Sequence, residues 1–215
     1  MPTPTFSITD HGPSRSFAAD DPFRSRAVPD GDVAVHLGLP PTAPVDADPA
    51  RRCTLLELGT ESLGVHTGED AGREGDTRIG FARWRLGTGE PGPLVELVLQ
   101  PHTDPAAVDA ARAVFEDAGL QVAACRDRAG RILDRMLRPY FNDALRALDN
   151  GLATSDDLDK TVRLGLGYPE GPIALLHRTG LAHHHDVTET LFRLTGEQAF
   201  TPARRAAVAR SRTQD

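Results

Sequence analysis

A chain of 215 residues is long enough for one good-sized domain or two small ones, either of which can bury a core without disulfide staples. Its formal net charge of −7 and its 5% aromatic content argue against a broad nucleic-acid footprint, which needs surplus cation to displace phosphate counterions and rings on which bases stack. No apolar run reaches membrane-spanning length and the N-terminus lacks a signal-peptide core. The two cysteines, Cys53 and Cys125, fit no metal or redox spacing, so the expectation is a cytoplasmic protein with unpaired thiols and neither a membrane nor a nucleic-acid partner.

Residues 1–30 are rich in Pro, Ser, Asp and Arg with no sustained period, which reads as a disordered leader. Strands follow in "DVAVHLGL" and "CTLLELG", separated by a polar connection. The Gly- and acid-rich turn "GEDAGREGD" leads to two further strands, "TRIGFARWRL" and "PLVELVLQ". A helix over "DPAAVDAARAVFEDAG" is punctuated by Asp104 as N-cap, Pro105 at its first position and Gly119 past its end. "LQVAACRD" then returns as a strand. Residues 31–127 thus read as part of an α/β sheet.

Beyond Asp127 the pattern is helix after helix. "RILDRMLRPYFNDALRALDNG" carries apolar residues at helical spacing, and "TSDDLDKTVRLGL" opens with Thr154 as a cap and Asp157 three residues on. "GPIALLHRTGL" and "DVTETLFRLTG" supply two more helices. The expected divisions are a helical domain over 128–205 and a basic tail over 206–215. His183, His184 and His185 read as solvent-facing residues at a helix start: adjacent helical positions point about 100° apart, so three in a row do not converge on one metal ion. The literal G-x-G-x-x-G, "GTGEPG" from Gly87 to Gly92, follows a strand but leads into another strand, which marks a turn and not a phosphate loop.

The stretch from Arg131 to Leu181, with its "RMLRPY" helix, "TSDDLD" start and "LGLGYPEGP", resembles the C-terminal helical domain of the 3-hydroxyacyl-CoA dehydrogenases. "PLVELVLQPHTDPAAVDAARAVFEDAGLQVAACRDRAG" resembles the end of that family's nucleotide-binding domain, and "TRIGFARW" the strand bearing its catalytic histidine. The resemblance implies an α/β fold in which a truncated Rossmann-like sheet is followed by an all-helical domain that dimerises and helps hold an acyl-CoA or acyl-carrier thioester.

The departures are chemical. In the family a histidine removes the hydroxyl proton as hydride leaves, and a glutamate orients it. Here the resemblance puts Ala82 at the histidine, Glu96 at the glutamate, and Asp134 at an asparagine that holds the substrate carbonyl, turning an amide donor into an acceptor when ionised. The family's small hydroxyl residue falls at Glu61 or Ser62. The strand, glycine turn and helix that cradle a dinucleotide pyrophosphate have no counterpart in the pattern, so no cofactor is expected unless a partner supplies the NAD half. Glu96, Asp134 and His66 are the candidate bases for any surviving thioester chemistry. The readings are a divergent member working on or binding a thioester without its own NAD site, a dimerising scaffold for a complete dehydrogenase, or half of a split oxidoreductase. A homodimer is expected.

Overall fold

The computed structural model describes residues 3–213. These divide into two compact units, the first comprising the described residues up to 85 and 91–131, the second 86–90 and the described residues from 132 onward.

The first unit is a six-stranded sheet in sequential order: β1 (Phe6–Asp10), β2 (Val33–Leu37), β3 (Cys53–Glu57), β4 (Arg78–Arg83), β5 (Leu94–Leu99) and β6 (Gln121–Arg126). β1 to β4 run parallel, β5 turns back antiparallel to β4, and β6 runs parallel to β5. Every residue of β3 is buried, the signature of a strand covered on both faces. On one face Cys53 and Leu55 join Val33, Val35, Ile79 and Phe81 beneath α2 (Pro105–Asp117). On the other, Leu56 and Leu58 pack with Leu63 and Val98.

Of the leader expected over residues 1–30, residues 1 and 2 lie outside the described residues, and the rest is instead part of this core. Its composition is polar, but Phe6, Phe17 and Phe23 are buried, with ring centroids 4.5 Å apart for Phe6 and Phe23 and 4.1 Å for Phe17 and Phe23. The β1–β2 crossover contains only a single 3-10 turn, Arg24–Arg26, and the rings of Phe17 and Phe23 stack onto Phe115 of α2 where a crossover helix would ordinarily lie. The same segment straps the sheet edge: Val28 N–H donates to Phe6 O, and Arg24 grips Asp10 with two hydrogen bonds.

The second unit is helical: α3 (Leu133–Asp149), α4 (Ser155–Leu166), α5 (Pro172–Thr179), α6 (Leu181–Thr195) and α7 (Arg204–Ser211). Its core gathers Phe141, Leu145, Ile173, Leu176, Ala203 and Ala206. The tail expected over 206–215 is therefore corrected to helix as far as Ser211, with Ala203 and Ala206 buried, while residues 214 and 215 lie outside the described residues. Asp104 caps α2 and Thr154 caps α4, each accepting a backbone N–H. Gly167 closes α4 in the left-handed region at φ 71°. At Gly171 a Cβ would come 2.2 Å from that of Asp159, whose carboxylate caps α5 through Ile173 N–H and Ala174 N–H. The "GTGEPG" stretch is the tip of the β4–β5 hairpin, where a Cβ on Gly87 would lie 1.7 Å from Thr179 O. Among the described residues no helix is long and apolar enough to cross a membrane.

Candidate functional site

The antiparallel register of β4 and β5 sets Ala82 directly opposite Glu96, so their side chains share one face of the sheet. Ala82 and Glu96 are both buried. A carboxylate buried beside a methyl group needs a cation, and Arg131 provides it, with Nε 3.3 Å from Oε2 of Glu96. Arg131 sits at φ 51°, a conformation costing a residue with a Cβ about 1–2 kcal/mol. Its Nη1 also donates to Gly59 O at 2.7 Å, fixing the guanidinium against the loop after β3.

That loop carries the array onward. Gly59 N–H donates to Oε1 of Glu61 at 2.8 Å, and the same oxygen lies 3.4 Å from His66 Nε2. His66 is buried in α1 (Gly64–Thr67) rather than solvated, and its Nδ1 lies 2.7 Å from Ala43 O. A carbonyl and an ionised carboxylate both only accept, so this pair of contacts favours the protonated ring, in which both nitrogens donate. The hydrogen bond from Glu61 raises the His66 pKa against the opposing effect of burial, with Ala43 O adding to the rise. Burial pushes the Glu61 pKa upward, but the hydrogen bonds from His66 and Gly59 outweigh it and hold it below the usual carboxylate value. Two of the three candidate bases, Glu96 and His66, therefore lie on one chain of polar contacts through Arg131, Gly59 and Glu61.

Asp134 belongs to the helical unit. Instead of facing solvent, it is buried one helical turn before Arg138, whose Nε donates to it at 2.7 Å. Arg138 Nη1 lies 3.2 Å from His184 Nδ1, and His184 Nε2 lies 3.1 Å from Asn142 Oδ1. Guanidinium can only donate, which makes Nδ1 the acceptor and Nε2–H the donor. Asn142 then passes its amide hydrogens to Ala199 O and Thr201 O. Burial, reinforced by the Arg138 charge, drives the His184 pKa down to about 3. His184 is thus a neutral core residue, correcting the reading of all three histidines as solvent-facing. α6 begins at Leu181 and carries them inside the helix.

Sequence reasoning missed Arg131, Arg138, His184 and Asn142 as members of these arrays. The Asp134/Arg138 spacing was a visible i,i+4 signal; nothing local marks Arg131.

The sequence of residues 130–213 matches the 3-hydroxyacyl-CoA dehydrogenase, C-terminal domain. Over these residues the chain is similar to the C-terminal domain of the 3-hydroxyacyl-CoA dehydrogenases. A 3-hydroxybutyryl-CoA dehydrogenase of Mycobacterium tuberculosis is 36% identical over 111 residues, 51% of this chain and 39% of that relative. The mitochondrial hydroxyacyl-coenzyme A dehydrogenase of Homo sapiens is 35% identical over 88 residues, 41% of this chain and 28% of the relative. The chain thus aligns with well under half the length of these dehydrogenases. Among solved structures, M. tuberculosis FadB2 superposes with a TM-score of 0.68 at 23% identity, covering 86% of this chain and 67% of that one. PaaH1, an (S)-3-hydroxybutyryl-CoA dehydrogenase from Ralstonia eutropha, gives 0.63 at 21% identity, over 85% and 66% of the two chains. At these identities the superpositions establish a shared fold.

A dinucleotide would require a strand that ends in a glycine turn at the N-terminus of a helix. After β1, β2 and β3 the described residues offer one 3-10 turn and the four-residue α1. The amides of Leu63 and Gly64 at the start of α1 are already taken by the two carboxylate oxygens of Asp127, at 2.7 and 2.8 Å. These residues do not fit a pyrophosphate.

Proposed function

We propose that this chain is a divergent 3-hydroxyacyl-CoA dehydrogenase-family protein that binds an acyl thioester without oxidising it and without an NAD site of its own. The observation carrying this reading is the β4–β5 pair: Ala82 stands opposite Glu96, and Arg131 answers the carboxylate where the family resemblance calls for histidine. A guanidinium remains protonated across the physiological range and does not act as a base. Glu96, Asp134 and His66 serve in this reading as members of ion pairs that hold the site's shape, not as proton acceptors. The two free cysteines suit a cytoplasmic setting.

A homodimer is part of the proposal. α4 has no buried residue, and Leu152, Leu164, Leu166 and Tyr168 stand exposed along and beside it. Exposed large apolar side chains gathered on one element mark an interaction surface. The same surface favours a second reading, in which the chain is a dimerising scaffold for a complete dehydrogenase. The strap across β1 works against a split enzyme that adds strands at that edge.

The test is steady-state reduction of acetoacetyl-CoA by NADH with the purified chain and with Ala82→His. Neither protein should turn over. Robust turnover by the unmodified chain defeats the proposal.

A further inference from the structure

We propose that the carboxyl edge of the parallel strands carries a preformed oxyanion cradle whose resident anion is the chain's own Glu57, and that this occupant closes the sheet to phosphate. The inference rests on the reading that the chain works without NAD and extends it by naming what fills the place.

Glu57 ends β3 and is buried. Its Oε1 accepts Ser16 N–H at 2.7 Å and the Ser14 hydroxyl at 2.9 Å, and its Oε2 accepts Gly38 N–H at 2.7 Å. Three donors from the loops after β1 and β2 therefore converge on one carboxylate. Among the described residues Glu57 forms no ion pair, so its charge is met by N–H and O–H groups alone, the way backbone nests meet a phosphate.

The loops are built to come this close. A Cβ on Gly38 would lie 2.2 Å from Gly12 O, and Gly38 adopts φ +64°, so a glycine is required there both for space and for backbone conformation. Ser14 Oγ, while donating to Glu57, accepts Phe17 N–H at 2.9 Å. The anion thus anchors the loop that delivers Phe17 to the core. A diphosphate arriving here would meet a buried like charge and donors already engaged.

The experiment vacates the cradle with Glu57→Ala in the full chain. Thermal unfolding is compared in chloride, formate and inorganic phosphate, and inorganic pyrophosphate is titrated calorimetrically. The variant should melt below wild type in chloride, recover several degrees in formate or phosphate where wild type does not, and bind pyrophosphate at least about tenfold more tightly than wild type. If the variant does not fold in chloride, refolding from urea in formate buffer is the readout, and failure to refold there overturns the inference. A folded Glu57→Ala that melts like wild type and ignores formate, or wild type that binds pyrophosphate as tightly as the variant, also overturns it. Saturable NADH binding by wild type that Glu57→Ala leaves unchanged would count against the proposed function, while the formate and pyrophosphate results still decide the cradle.

Discussion

Phe17→Ala probes whether the N-terminal segment is structural. The Phe17 ring is fully buried, stacks on Phe23 at 4.1 Å, lies 6.1 and 6.2 Å from Phe81 and Phe115, and carries the Arg83 guanidinium 5.5 Å from its centroid. Truncating a buried phenylalanine costs about 3–5 kcal/mol, and because the truncation also removes the ring stacking and the cation–π interaction with Arg83, this site belongs in the upper part of that range. Against a total stability of about 5–15 kcal/mol this is a major loss. Urea unfolding followed by Trp84, the single tryptophan, reports on the same unit. Asp20→Ala, at an exposed position of the same segment, should stay within about 0.5 kcal/mol of wild type. A loss below about 1 kcal/mol for Phe17→Ala would refute the packing argument and restore a dispensable leader.

Other outcomes follow from the buried histidines and the open face of α4. Because the His184 pKa is depressed to about 3, the unfolded state binds the extra proton between that value and 6.5, so stability of the helical unit should fall as pH drops below about 6.5, by up to about 1.4 kcal/mol per pH unit. His184→Gln should flatten this acid dependence in far-UV melts; an unchanged slope would show that His184 is not its source. His66 is shifted the other way, so its pairing contributes fully below pH 6.5 and fades as pH rises through its elevated folded pKa. The stability difference between wild type and His66→Gln should therefore shrink on the alkaline side, and a difference that grows there contradicts the imidazolium assignment. Leu164→Glu changes a side chain 77% exposed, so it should leave the melting temperature within a degree or two yet convert dimer to monomer in sedimentation at micromolar concentration. A wild-type monomer would remove α4 as the interface.

The strands β2 to β6 and the helices α2 to α5 were legible because apolar period, caps and glycine stops agreed with one another. β1 was not, since "FSITD" is short and lies in a stretch whose composition is polar, and the three phenylalanines of that stretch are too widely spaced to make a local period. They meet only in the fold, where Phe23 stacks on both Phe6 and Phe17, and Phe17 and Phe23 stack on Phe115. α6 was recognised from Asp186 onward, its first turn hidden by three polar histidines, one of which the core accepts because Arg138 and Asn142 satisfy both ring nitrogens. The family resemblance located Ala82, Glu96 and Asp134, and the i,i+4 spacing marked Arg138, whereas Arg131 depends on a left-handed backbone that no local pattern encodes.

The most direct test of the central claim is calorimetric titration of the purified chain with acetoacetyl-CoA and, separately, with NADH. The account predicts saturable binding of the thioester and none of the dinucleotide. Saturable NADH binding, or failure of the thioester to bind, would contradict it.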